Sequence, residues 1–354
     1  MLFKQVWPWV GMLLVIGTFA PIAPAQTAPA QTAPPDHQAI SLLGMGDWGT
    51  NGIQQKKVAQ NMADYVRSSG RTYAGMLLLG DNCYIKLTGP ADALWNEMFE
   101  QMYDRSVLSF PFYAALGNHD YSNNAAQFEL DYAKKNPTSR WKMPAKYYRL
   151  DLPVEKPIVT VLMLDSCRDL MTPAEWQAET KWIETELAKP RTTRWLVAAG
   201  HHPFFSNGDH GDNGVLASTW GPMFKKANLD FYICGHDHDV QHLEVAGWET
   251  SFVLAGGGGA KTRPMRVDNN RRGPFSRSVT GFADIQFNGE SAKCRLVSGE
   301  GKVIHEFART RDRKVNITFT TPSDVAVPRT PKSVARPDIE TVGTQSTTQP
   351  SKVQ

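Results

Sequence analysis

The sequence predicts an α/β architecture in which two mixed β-sheets pack face to face with helices on their outer sides, an α/β/β/α sandwich within one domain. In the first half, apolar strand-like runs alternate with helix-periodic segments, the βαβ rhythm of a sheet covered by helices. After Val240 the helical periods stop, and short strand-like pieces joined by Gly-rich turns indicate antiparallel pairing. Several of the strand-like runs also end in Gly followed by Asp, Asn or His, and in an open α/β sheet such ends share one crevice.

Taken in order, Ile40 to Met45 reads as a strand, Gln54 to Arg67 as a helix, Gly75 to Leu79 as a strand and Ala91 to Tyr103 as a helix. Phe112 to Leu116 and Ala125 to Lys135 repeat the pair. Ile158 to Leu164 is followed by a helix after Pro173 that carries Trp176, Trp182, Ile183 and Leu187, then by strands at Trp195 to Ala199 and Leu229 to Ile233. The last pieces are Ser251 to Leu254, Phe282 to Phe287, Lys293 to Val297 and Val303 to Phe307. No internal repeat is present.

The ends of the chain have a different character. Lys4, the apolar run from Val6 to Phe19 and the Ala23-Pro24-Ala25 site read as a cleaved signal over residues 1–25, which predicts an exported, periplasmic or secreted protein. Pro8 and Pro21 interrupt the apolar run, so no membrane span is expected to persist after cleavage. Residues 26–38, rich in Ala, Pro, Thr and Gln, are expected to form a flexible linker. The globular domain is placed at 39–315, and 316–354, rich in Thr, Ser, Pro and Val, is expected to be a disordered tail.

Composition narrows the function by exclusion. The 38 basic and 35 acidic residues nearly cancel, and no stretch gathers the Lys and Arg needed to neutralise adjacent phosphates. Nucleic acid is therefore not a primary partner, and a monomer acting on a small substrate is expected. Cys83, Cys167, Cys234 and Cys294 are too few for a disulfide scaffold and contain no CxxC pair for a thiolate zinc site, although one disulfide stays open. His37, His242 and His305 lie outside every motif. The run Gly256 to Gly259 lacks the Lys-Ser/Thr of a phosphate loop and reads as a tight turn near the site.

The chemistry sits in five loops: Gly46-Asp47-Trp48-Gly49, Gly80-Asp81-Asn82-Cys83-Tyr84, Gly117-Asn118-His119-Asp120, Gly200-His201-His202-Pro203 and Gly235-His236-Asp237-His238-Asp239. Each puts a hard or borderline metal ligand directly after an apolar strand, with a glycine that lets the chain turn out of it. Singly, a strand-end Asp is more often a helix cap and a lone His a hydrogen-bonded polar residue. Five such placements in one chain exceed what capping requires.

This ordered pattern resembles the calcineurin-like metallophosphoesterases, and Tyr84 narrows the resemblance to the purple acid phosphatases of the small, tartrate-resistant type. The likeness runs from about Ile40 to Phe307. It implies Asp47, Tyr84 and His238 as ligands of a ferric ion, Asn118, His201 and His236 as ligands of a divalent Fe, Zn or Mn, and Asp81 as the bridge between them. It implies hydrolysis of phosphate monoesters by a metal-activated hydroxide, with His119 as general acid and Asp120 as its orienting partner. His202, Asp209 and His210 are expected to line the substrate pocket. With two carboxylates and a tyrosinate against five metal charges, such a site keeps net positive charge without an Arg cluster.

Three positions depart from the usual family wording: Cys83 for Phe, His202 for Tyr and Asp209 for Glu. Three other readings stay open on sequence alone. One is a Mn- or Zn-dependent enzyme acting on diesters or nucleotides, with Tyr84 only packing nearby. Another is a binding module that has lost catalysis. The third is an envelope-anchored structural protein led by the Pro/Thr-rich tail.

Overall fold

The computed structural model describes residues 39–122, 124–266, 272–322 and 324. The expected signal, the expected linker up to residue 38 and the expected tail beyond 324 lie outside these residues. No helix among them is long and apolar enough to cross a membrane.

Two sheets form as the alternation of elements requires. The first contains β1 (Ile40–Met45), β2 (Tyr73–Leu79), β3 (Phe112–Ala115) and β4 (Trp141–Lys142) in parallel register, continued antiparallel by β12 (Gly281–Phe287), β13 (Ser291–Ser298), β14 (Val303–Thr310) and β15 (Val315–Thr320). The second runs through β5 (Tyr148–Leu152), β6 (Val159–Met163), β7 (Trp195–Ala199), β8 (Phe231–Cys234), β10 (Ser251–Ala255), β9 (Val240–Glu244) and β11 (Pro274–Arg277), with β6, β7, β8 and β10 parallel. Both sheets are mixed, as expected.

Three buried clusters define the layers. Leu42, Leu77 and Leu79 meet Val161, Val197 and Ile233 between the sheets. The outer face of the first sheet packs Leu43, Met76 and Leu78 under α1 (Ile53–Ser69) and α3 (Ala125–Lys135). On the outer face of the second, Leu162, Ala198 and Tyr232 lie under α4 (Pro173–Ala188), α5 (Gly214–Thr219) and α6 (Gly221–Ala227); the short α2 (Asn118–Ser122) follows β3. Strand residues therefore alternate between the middle layer and an outer layer, which is why these strands are apolar on both faces. Helix α4 starts where it does because Thr172 and Glu175 close a reciprocal capping box ahead of Pro173.

Two expectations change. Of the helix expected over residues 91–103 only residues 94–100 are helical, two α-helical residues leading into the π-helical segment Asn96–Glu100, because Asp92 commits its carboxylate to Thr88 and the Leu94 backbone N–H and forms a turn ahead of them. The boundary at residue 316 also moves. Val315, Ile317 and Phe319 alternate with Asn316, Thr318 and Thr320, a period-2 pattern that adds β15 antiparallel to β14 at the sheet edge. All four cysteines are buried free thiols, so no disulfide forms.

Candidate metal centre

Strands β1, β2 and β3 of one sheet and β7 and β8 of the other end on the same rim, and the five loops follow them. The loops converge. Tyr84 Oη lies 3.2 Å from Asp47 Oδ1, 3.0 Å from Asp81 Oδ2 and 3.2 Å from His238 Nε2. A second group gathers around His201 Nε2, which is 3.0 Å from Asn118 Oδ1, 3.1 Å from His236 Nδ1 and 3.4 Å from Asp81 Oδ1. Asp81 thus turns one oxygen to each group, and all seven expected ligands meet in two adjoining sets.

The imidazoles are aimed from behind. His201 Nδ1 donates to the Leu79 carbonyl at 2.9 Å and His238 Nδ1 to the Lys261 carbonyl at 2.8 Å. Since a carbonyl only accepts, each Nδ1 carries the proton and each Nε2 lone pair faces the site. Asp47 Oδ2 is held by the His236 backbone N–H at 2.8 Å, and Asp81 Oδ1 by that of His119 at 2.9 Å.

The donor set suits cations. Burial raises the Asp47 carboxyl above its ordinary range and Asp81 adds to the effect. Burial and the two carboxylates together push the Tyr84 hydroxyl up strongly. Burial alone would lower His201, yet Asp81 and Asp47 outweigh it and raise it. Oxygen acceptors and inward lone pairs crowded into one buried volume need positive charge between them, and O,N donors of this kind fit ferric and borderline divalent ions.

Backbone conformation shows how the loops reach so close. Asp47, Asp81 and His236 themselves take left-handed backbone, at φ 60°, 51° and 71°. Such strain in residues with a Cβ concentrates at functional sites. Of the five preceding glycines only Gly80 is left-handed, so the turning role expected of them is mostly carried by Asp47, Asp81 and His236 themselves. The glycines serve a steric purpose instead. A Cβ on Gly117 would stand 2.3 Å from Asp81 Oδ1, and one on Gly235 2.5 Å from Asp47 Oδ2. Gly256 to Gly259 run beneath the same loops, where Gly258 N–H donates to the Gly46 carbonyl at 3.0 Å.

The other expected residues surround this core unequally. His119 is half-buried, its ring centroid 4.4 Å from that of Tyr84. His202 packs 4.4 Å from the His236 ring and 4.9 Å from that of His201, and Ser166 Oγ lies 3.1 Å from its Nδ1. His210 packs over His236 with centroids 4.0 Å apart, whereas Asp209 is exposed and its side chain makes no hydrogen bond among the described residues. Asp120 does not orient His119. Its buried carboxylate accepts from the Gly117 and Cys83 backbone N–H groups at 2.8 and 2.9 Å, on the side of Asn82 and Glu129, because those N–H groups need an acceptor where the loops touch.

Two groups escaped the sequence reading. Asp237 lies inside a quoted motif but points away from the ligands to His210, and Arg263 sits on a loop with no periodicity or motif to mark it.

Residues 40–240 match the model of the calcineurin-like phosphoesterases. Tartrate-resistant acid phosphatase type 5 of Rattus norvegicus is 27% identical over 307 residues, covering 77% of this chain and 90% of that protein. Purple acid phosphatase 17 of Arabidopsis thaliana is 24% identical over 323 residues, covering 85% of this chain and 93% of that protein. Purple acid phosphatase PPD1 from yellow lupin (Lupinus luteus) seeds shares the fold at a TM-score of 0.61 and 15% identity, over 82% of this chain and 57% of that one. So does GAP50, the anchor in the inner membrane complex of Plasmodium, at a TM-score of 0.68 and 20% identity, over 80% of this chain and 90% of that one. With all five strand-end loops inside the matched span, this chain belongs to the calcineurin-like phosphoesterase family.

Proposed function

We propose that this protein is an exported acid phosphatase that hydrolyses phosphate monoesters with a dinuclear Fe(III)/M(II) centre, M being Fe, Zn or Mn. The observation that carries the proposal is the division of Asp81, with Oδ2 3.0 Å from Tyr84 and Oδ1 3.4 Å from His201. One carboxylate shared between a phenol-containing set and an imidazole-amide set suits two unlike cations side by side. Asp47, Tyr84 and His238 would hold the ferric ion, and Asn118, His201 and His236 the divalent one. When bound, such a pair supplies an acidified water and polarises the phosphoryl oxygens.

The protein's own groups do the rest by position, since phosphoryl transfer asks for alignment and charge more than covalent chemistry. His119 stands at the open side beside Tyr84, where its imidazole donates a proton to the leaving alkoxide. His202 and His210 form the opposite wall against His236. Cleavage after Ala25 would release residues 26–354 for export.

The test is a visible absorption spectrum with metal analysis and p-nitrophenyl phosphate turnover, for wild type and Tyr84→Phe. A violet band absent from Tyr84→Phe, with about two metals per chain, is the expected result. A colourless but active protein is instead a Mn- or Zn-dependent phosphoesterase. A metal-loaded protein without turnover is a binding module on this fold.

A further inference from the structure

The segment after the four glycines brings a cation to the rim. Arg263 Nη1 lies 2.9 Å from Nε2 and 3.0 Å from Nδ1 of His210. From the other side, Asp237 Oδ1 accepts from His210 Nδ1 at 2.8 Å and from the His210 backbone N–H at 3.0 Å, while Asp237 Oδ2 accepts from the Ser206 hydroxyl. Nδ1 donates to the carboxylate, and Arg263 Nη1, nearly equidistant from the two ring nitrogens, lies against the face of the imidazole. The result is an ordered chain outward from a buried carboxylate, 1% exposed, through an imidazole to a half-buried guanidinium.

Two features tie this chain to the metal centre. Asp237 stands between the ligands His236 and His238 in one tight turn, and the His210 ring lies over the His236 ring. The segment that carries Arg263 is itself fastened to this turn, since the carbonyl of Lys261, two residues earlier, accepts from His238 Nδ1 at 2.8 Å. Its other guanidinium N–H groups make no hydrogen bond among the described residues, so they remain to be used.

We propose that Arg263, positioned by His210 and Asp237, binds an anionic phosphoryl oxygen of the substrate at the mouth of the metal centre. The planar fork of Arg matches two oxygens of a phosphate, and a dianionic monoester brings more negative charge than a hydroxide-bearing ferric/divalent site retains. Asp237 is then a positioning residue, since it acts through His210. This inference rests on the phosphatase reading above, and inorganic phosphate serves as a probe that does not require turnover.

The experiment uses the metal-loaded protein as wild type, Arg263→Ala, Arg263→Lys and Asp237→Asn. Phosphate binding is measured by calorimetry, and KM and kcat are measured with p-nitrophenyl phosphate. Arg263→Ala is expected to raise KM and the phosphate dissociation constant together by about tenfold to a hundredfold, with kcat within a few-fold and metal content and colour unchanged. Arg263→Lys should recover part of the loss, and Asp237→Asn should shift the same two constants less. Unchanged phosphate binding in Arg263→Ala, or a loss confined to kcat or to thermal stability, overturns the proposal. If wild type turns over no monoester yet binds phosphate through Arg263, this inference stands and the phosphatase reading falls.

Discussion

Lowering the pH should loosen the sandwich at one identifiable point. His242 on β9 and His305 on β14 are both fully buried and bridge the two sheets. His242 Nε2 donates to Glu244 Oε1 at 2.8 Å, His305 Nε2 to His242 Nδ1 at 2.9 Å, and the Thr320 hydroxyl to His305 Nδ1 at 3.1 Å. Each ring has one proton in this arrangement; a second on His242 Nδ1 would face the N–H of His305, and a second on His305 Nδ1 would force the Thr320 hydroxyl to turn its proton away. The rings stack on Phe307 and Phe275, so an added charge would be buried against apolar faces.

Burial, reinforced by the neighbouring His242, pushes His305 down to about 3. Burial also lowers His242, against the pull of Glu244. A folded pKa below the unfolded value of about 6.5 means that the unfolded chain binds the proton first. Stability is therefore complete above that value and falls as the pH drops from there toward 3. Each such histidine contributes a slope of about 1.4 kcal/mol per pH unit, so His305 alone should cost roughly 2.5 kcal/mol between pH 7 and pH 4.5.

Urea unfolding of metal-loaded wild type and His305→Gln across that range measures it. Gln keeps a donor for His242 and an acceptor for Thr320 but does not titrate, so the variant should lose roughly 2.5 kcal/mol less than wild type on acidification. Whatever titrates at the proposed metal centre does so in both proteins and cancels in the difference. Equal slopes for the two proteins would refute the reasoning.

Other consequences are quicker to check. Gly117→Ala places a Cβ 2.3 Å from Asp81 Oδ1, so elemental analysis should find metal binding impaired while circular dichroism still reports a folded chain. Asp120→Asn sets an amide N–H toward one of the backbone donors it now accepts, and should destabilise the protein by about 1–3 kcal/mol. It should leave the pH profile of kcat in place, whereas a shifted limb would point to a contact with His119. A thiol reagent should titrate none of the four cysteines in the native protein and all four after unfolding, given their burial as free thiols.

The site was legible in the sequence to the extent that its residues follow strands. β1, α3 and β7 carry their bounds in the pattern of apolar residues, and the ligands come one step after strands whose parallel direction delivers them to one rim. What spacing does not contain is which way a side chain turns within its loop. Asp120 and Asp237 are both acids beside a ligand, and both turn away from the centre, one to the Gly117 and Cys83 N–H groups and the other to His210. Their placement depends on where unpaired donors lie after the loops have met.

The histidines outside every motif carried no signal for a related reason. His242 and His305 belong to different sheets, and their bond exists only because the sheets pack in one register, with Thr320 brought in by β15. Strand β15 has no buried face to announce it, since five of its six residues are exposed. It is held by β-branched and aromatic pairing to β14, and the Thr320–His305 bond ties its far end to the core. Truncation before Val315 would thus remove an edge strand and leave His305 Nδ1 without its donor. The pH dependence assigned to His305 is a property of the sandwich as closed by β15, not of the isolated imidazole.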